Sequence, residues 1–244
     1  MVSMFKKLLV FILVLTLIFI ISGCKKGEEV ETDKIPKEGS YSRCMEVREK
    51  IPYNVIDDVE FPYFDENTLF ENSNLIFKGI VINEVEIGIE EYIGGELERT
   101  YYRDVSTFEI EKIYYSDDPS LEVGDLVKVS NASCSYWWIE GTIKMEKDKE
   151  YIVLAKKSFD LPNVEFTEYY DYSVENYWVP IIPIENGNYY VDEMLPSLTS
   201  NAKEEITRED GDFKTIVYVK GEEFEDELSS LISQKKGENK YSEK

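Results

Sequence analysis

Three dipeptides, Gly94-Gly95, Asn186-Gly187 and Asp210-Gly211, each separate two runs of strand-like sequence. Glycine takes positive φ without a Cβ clash, and Asn-Gly and Asp-Gly suit the two-residue turns that join antiparallel strands. A chain punctuated in this way is directed toward hairpins. The runs themselves agree. Residues 75–81 (LIFKGIV) form a buried-strand run in which Gly79 predicts a bulge or tight bend. Val85, Ile87 and Ile89 alternate with polar or glycine positions before Gly94-Gly95. The return strand is expected over 98–115, with Val105, Phe108, Ile110 and Ile113 inward. Further strands are expected at 126–129, 137–145 and 151–155. The pairs 177–184 with 188–191 and 204–208 with 213–219 flank the other two turns. Helical spacing occurs in two places. Residues 67–74 offer one or two turns carrying Leu69 and Phe70. Residues 222–234 place Phe224, Leu228, Leu231 and Ile232 on one face behind an acidic first turn.

The front of the chain is of a different kind. Lys6 and Lys7 precede an unbroken apolar run at 8–21, and Ile21-Ser22-Gly23-Cys24 closes it. At 1.5 Å per residue the run makes a helix of about 21 Å, short for a permanent span and suited to a secretory signal. The small residues before Cys24 predict cleavage there and acylation of its thiol. The expected location is the outer face of the bacterial cytoplasmic membrane, held by lipid on Cys24.

Composition narrows the function classes. The 244 residues carry a formal charge of −23, and removing the first 23 residues, with two lysines and no acid, makes the balance more negative. Such a chain lacks the clustered cations that neutralise phosphates, so no nucleic-acid partner is expected. A basic protein or a cell-wall polymer is the expected partner beside the membrane itself. Histidine is absent. That removes Ser-His-Asp and Cys-His catalysis and histidine-ligated metals, while leaving carboxylate or lysine chemistry open. No cofactor and no metal are expected. Cys44 and Cys134 remain beside Cys24. In an exported chain they are candidates for a disulfide, which would close a loop of about 90 residues worth roughly 4–5 kcal/mol. Buried thiols are the alternative.

Two aromatic clusters stand out. Trp137 and Trp138 are adjacent on an expected strand, so one faces the core and the other faces out, where it offers a stacking surface for a sugar ring or a cover for the barrel. Glu165, Glu168 and Asp171 interleave with Phe166, Tyr169, Tyr170 and Tyr172 in an acidic loop. The run 209–212 (EDGD) lacks the ligand spacing of a calcium loop and is expected to be a hairpin turn.

The order of segments SNLIFKGIV (73–81), TFEIEKIYY (107–115), LEVGDLVKV (121–129) and KDKEYIVLA (147–155) resembles lipoproteins of Gram-positive bacteria that carry a small barrel. It is also similar to the OB-like barrel of tissue inhibitors of metalloproteinases and netrin modules. The resemblance covers about a third of the chain and implies fold more than function. Two departures stand: the usual Lys-Gly ending the second strand is Tyr115-Ser116 here, and the inhibitors' free N-terminal cysteine amine would be a lipid-modified Cys24 on a tether. The inhibitory chemistry therefore does not transfer.

The expected architecture is mainly β. It comprises a signal at 1–23, a flexible tether at 24–40, an irregular segment at 41–64, an OB-like barrel at 65–157, a hairpin-rich extension with a C-terminal helix at 158–235, and a disordered tail at 236–244. The expected function is non-catalytic binding at the cell envelope. The competing expectations are a carboxylate-based enzyme or binder acting on cell-wall glycan, and a structural envelope component.

Overall fold

The computed structural model describes residues 39–47, 55–57, 65–131, 134, 137–139, 143–158, 170–174, 180–192, 194–199, 204–207, 214–218, 221–237 and 241. Cys24 and the signal lie outside them. Among the described residues no helix is long and apolar enough to cross a membrane.

The fold is mainly β, with a closed ring of five strands at its centre. Two long strands, β3 (Leu75–Ile93) and β4 (Glu96–Ser116), form one hairpin around Gly94-Gly95, whose φ values are 61° and 86°. The ring continues from β4 to β5 (Leu126–Asn131), then in parallel to β8 (Tyr172–Ser173), then to β7 (Glu150–Lys157) and back to β3. This is the expected OB-like barrel, a Greek-key ring that removes free edges by closure. The barrel does not end at 157, because β8 supplies its fifth strand. Asp171 pins that strand in place: its backbone N–H donates to Lys128 O (2.9 Å), and its carboxylate accepts from Lys128 N (3.0 Å).

The long hairpin reaches past the barrel, and β1 (Ser40–Glu46) pairs along its outer half from Ser40↔Ile93 to Glu46↔Ile87. The segment expected to be irregular therefore begins as a docked strand. On the other side, β9 (Ile181–Glu185) pairs with β7, and β10 (Asn188–Asp192), β12 (Lys214–Tyr218) and β11 (Glu204–Thr207) follow in that order. Asn186 and Gly187 take φ of 54° and 77° in the expected turn, and the Asp210-Gly211 turn lies outside the described residues. A separate two-stranded sheet joins β2 (Val55–Asp57) to β6 (Trp137–Ile139) in parallel.

Buried residues show why the central strands read as continuous apolar runs. In β7, Tyr151, Val153 and Ala155 point into the barrel, whereas Ile152 and Leu154 point out to a layer of helices. A strand covered on both faces has no polar side to alternate. That layer consists of α1 (Glu66–Asn72), α2 (Pro196–Thr199) and α3 (Gly221–Lys236). Asp65 caps α1 by accepting from Thr68 N at 2.8 Å. Phe224, Leu228, Leu231 and Ile232 of α3 pack on Ile152, Leu154 and Ile182, as the spacing predicts. Tyr189 stacks on Phe224 with ring centroids 4.6 Å apart.

Bulges reconcile the irregular spacing of the inward residues. Ile110 and Ile113 share the barrel interior although three apart, because the β3–β4 register shifts between Lys78 and Gly79. A Cβ on Gly79 would stand 2.6 Å from Glu109 O, so only glycine fits the bulge. Val105 faces a third cluster with Ile87, Ile89, Cys44 and Tyr170, not the barrel.

Candidate functional site

Lys78 is the charge set inside the apolar run LIFKGIV, and it points outward from β3. Its ammonium lies 3.5 Å from Glu150 and 3.9 Å from both Glu111 and Glu225, drawing residues from β3, β7, β4 and α3 to one place. Lys112 Nζ donates to the other oxygen of Glu225 at 2.6 Å, and Tyr189 O–H donates to Glu225 Oε1 at 2.6 Å. Lys112 also rests over the Tyr114 ring, 4.8 Å from its centroid.

The charges in this cluster are mutually settled. Burial pushes the Glu225 carboxyl up, but the hydrogen bonds from Lys112 and Tyr189 outweigh it and hold it below the usual range. Glu111 shifts the other way, raised by burial and by a hydrogen bond shared with Glu150. Burial also raises the Tyr114 and Tyr189 hydroxyls, which stay protonated. Among the described residues no group of acids is arranged to hold a metal ion, and Lys78 takes the centre of the three carboxylates.

Beside the cluster runs a groove of about 420 Å³. Its walls are Glu111, Lys112 and Ile113 of β4, Leu121, Glu122 and Val123 of the following loop, and Tyr241. The loop is shaped by Gly124 at φ 94°, whose N–H donates to Ile110 O at 2.8 Å, and by Glu122 N donating to the Asp125 carboxylate at 2.8 Å. Val123 in its wall is 65% exposed, and Leu126, the first residue of β5, is 57% exposed. Tyr241 lies in the segment expected to be a disordered tail; its hydroxyl donates to Leu121 O at 3.0 Å, and the ring packs against the barrel cluster.

The residues singled out in the sequence fall elsewhere. Among the described residues of the strand expected at 137–145, Trp137–Ile139 pair with β2 and not with the main sheet, and residues 143–145 are not in a strand. The side chains of Trp137 and Trp138 lie outside what is described. Cys44 and Cys134 are both buried, 7% and 2% exposed, and Cys44 packs in the cluster of Ile87, Ile89, Val105 and Tyr170. In the acidic loop, Tyr170 and Tyr172 are buried and Asp171 holds β8, so this part is a strand junction; Glu165 and Glu168 lie outside the described residues. The Lys78 cluster was not found from the sequence, since its members are scattered over 148 positions. A lysine inside an otherwise apolar strand was the available signal.

No protein-family model matches this chain, and no curated protein matches it in sequence.

Proposed function

We propose that this chain is a lipid-anchored, non-catalytic binding module of the bacterial envelope. Cys24 carries the acyl groups on the outer face of the cytoplasmic membrane. The groove face of the barrel, similar to the inhibitor and netrin barrels in its order of segments, engages a basic protein partner.

The observation that carries this reading is a barrel filled with side chains. Phe77 meets Phe108 edge-on at 5.3 Å, Phe108 meets Tyr151 at 6.2 Å, and Val129, Met145 and Val153 complete the interior. An interior packed in this way leaves recognition to the outer surface. The groove loop supplies an exposed aliphatic, Val123, beside Glu122; Leu126 is exposed where β5 begins, and Asp117 and Asp118 lie in the turn after β4. An apolar contact rimmed by carboxylates suits a partner bearing lysine or arginine around an apolar centre.

A photocrosslinking residue placed at Val123 on intact cells tests this. The expected product is one basic protein, captured less by a variant carrying Leu126→Asp and less at high salt. Release of soluble fragments from purified cell wall by the protein would favour the glycan-directed enzyme instead.

A further inference from the structure

The exposed large aliphatics among the described residues fall into two pairs. One pair is Val123, in the groove wall, and Leu126, at the start of β5. The other, Ile93 at 56% and Leu97 at 52%, flanks Gly94-Gly95 at the far tip of the β3–β4 hairpin. The binding reading does not use this second pair.

The tip is where the chain from the anchor enters the described fold. Gly94 N–H donates to Gly39 O at 3.0 Å, and Ser40 pairs with Ile93 in the first register position of β1. From Cys24 to Gly39 the chain has 15 steps, reaching about 50 Å when fully extended. Strand β3, with 19 residues, would measure roughly 60 Å if straight. An anchor on Cys24 therefore ties the fold to the bilayer by its tip and leaves the barrel at the other end.

The tip is also braced. Arg43 of β1 pairs with Glu90 of β3, its Nε donating at 3.1 Å. Its terminal nitrogen donates to Tyr92 O–H at 3.1 Å, and Tyr92 O–H donates to Glu90 at 2.5 Å. Arg99 neutralises Glu91 across the hairpin at 2.6 Å. Glu96 and Glu98 remain exposed beside Leu97, which makes adhesion to anionic lipid unfavourable and leaves short-range apolar contact.

We propose that the hairpin tip is a membrane contact, with Ile93 and Leu97 seated at the boundary between headgroups and acyl chains. The inference rests on acylation of Cys24. Two aliphatic side chains bind lipid weakly by themselves; an anchor converts the contact into an intramolecular one at high effective concentration. The contact orients the molecule, turning the groove face away from the bilayer toward partners.

The test uses the lipidated protein reconstituted in phosphatidylcholine vesicles whose acyl chains carry bromine. Tryptophan emission is compared for Leu97→Trp, Val123→Trp and the parent with its three native tryptophans, after mass spectrometry has established the state of Cys24 in each. The expected result is at least about twofold quenching of the added emission at position 97 and none at position 123. Adding Ile93→Glu to Leu97→Trp is expected to abolish that quenching while leaving the thermal transition in place. With Cys24 acylated, unquenched emission at 97 overturns the tip contact and spares the anchor. Equal quenching at 97 and 123 overturns the orientation. An unmodified Cys24 overturns both.

Discussion

At the scale of single residues, Glu225 and Glu111 make opposite predictions. Glu225 is held below the normal carboxyl range by donors from Lys112 and Tyr189, so its folded form favours the ionised state. Its contribution is fully present above the unfolded value near 4.5 and is lost as pH falls through the lower folded value. Glu225→Gln is expected to cost about 1–2 kcal/mol near pH 7, with the difference from the parent shrinking below about pH 4. Glu111 is raised by burial and by Glu150, so ionising it in the fold is unfavourable. Glu111→Gln should be neutral to stabilising near pH 7, an advantage that fades as pH falls and the parent's carboxyl protonates. Urea denaturation at both pH values measures each sign. Gly79→Ala makes a steric prediction: its methyl would meet Glu109 O at 2.6 Å, and a loss of about 1–3 kcal/mol is expected. Gly79 was legible because a glycine inside a buried strand has few other uses. The Glu225 network was not, because Lys78, Lys112, Tyr189 and Glu225 meet only after four elements have packed.

At the scale of elements, α3 shows what amphipathic spacing can deliver. Phe224, Leu228, Leu231 and Ile232 were identifiable from their period, and all four are buried on the outer face of the barrel strands. Phe224→Ala removes the ring stacked on Tyr189 and should cost about 3–5 kcal/mol. A lowered urea midpoint with an unchanged slope would register it. The hairpin turns at Gly94-Gly95 and Asn186-Gly187 were legible for the same reason, local backbone chemistry. Non-local pairing was not. The docking of β1, the contribution of β8 to the ring and the pairing of β6 with β2 depend on partners remote in sequence. Tyr241 belongs here too: nothing in a polar tail signals that one ring will pack on the barrel. Tyr241→Ala is expected to loosen the groove loop, seen as faster amide exchange at Val123 and Gly124, with little effect on α3. Uniform slowing or no change would contradict that placement.

At the scale of the whole molecule, a filled barrel and a strongly acidic chain are the observations on which the proposed binding role rests. Millimolar calcium is expected to leave the thermal transition unmoved, because Lys78 already sits among Glu111, Glu150 and Glu225. The mainly β class and the barrel were readable from alternation, apolar runs and turn residues. Function was less readable, since an outer groove is a property of assembled surfaces and leaves little trace in one segment. The account depends on where the chain is held. Mass spectrometry of the mature protein extracted from membranes measures that most directly. The expected product begins at Cys24 with a diacylglycerol thioether on its sulfur. A product beginning elsewhere, or an unmodified Cys24 in freely secreted protein, would contradict the account.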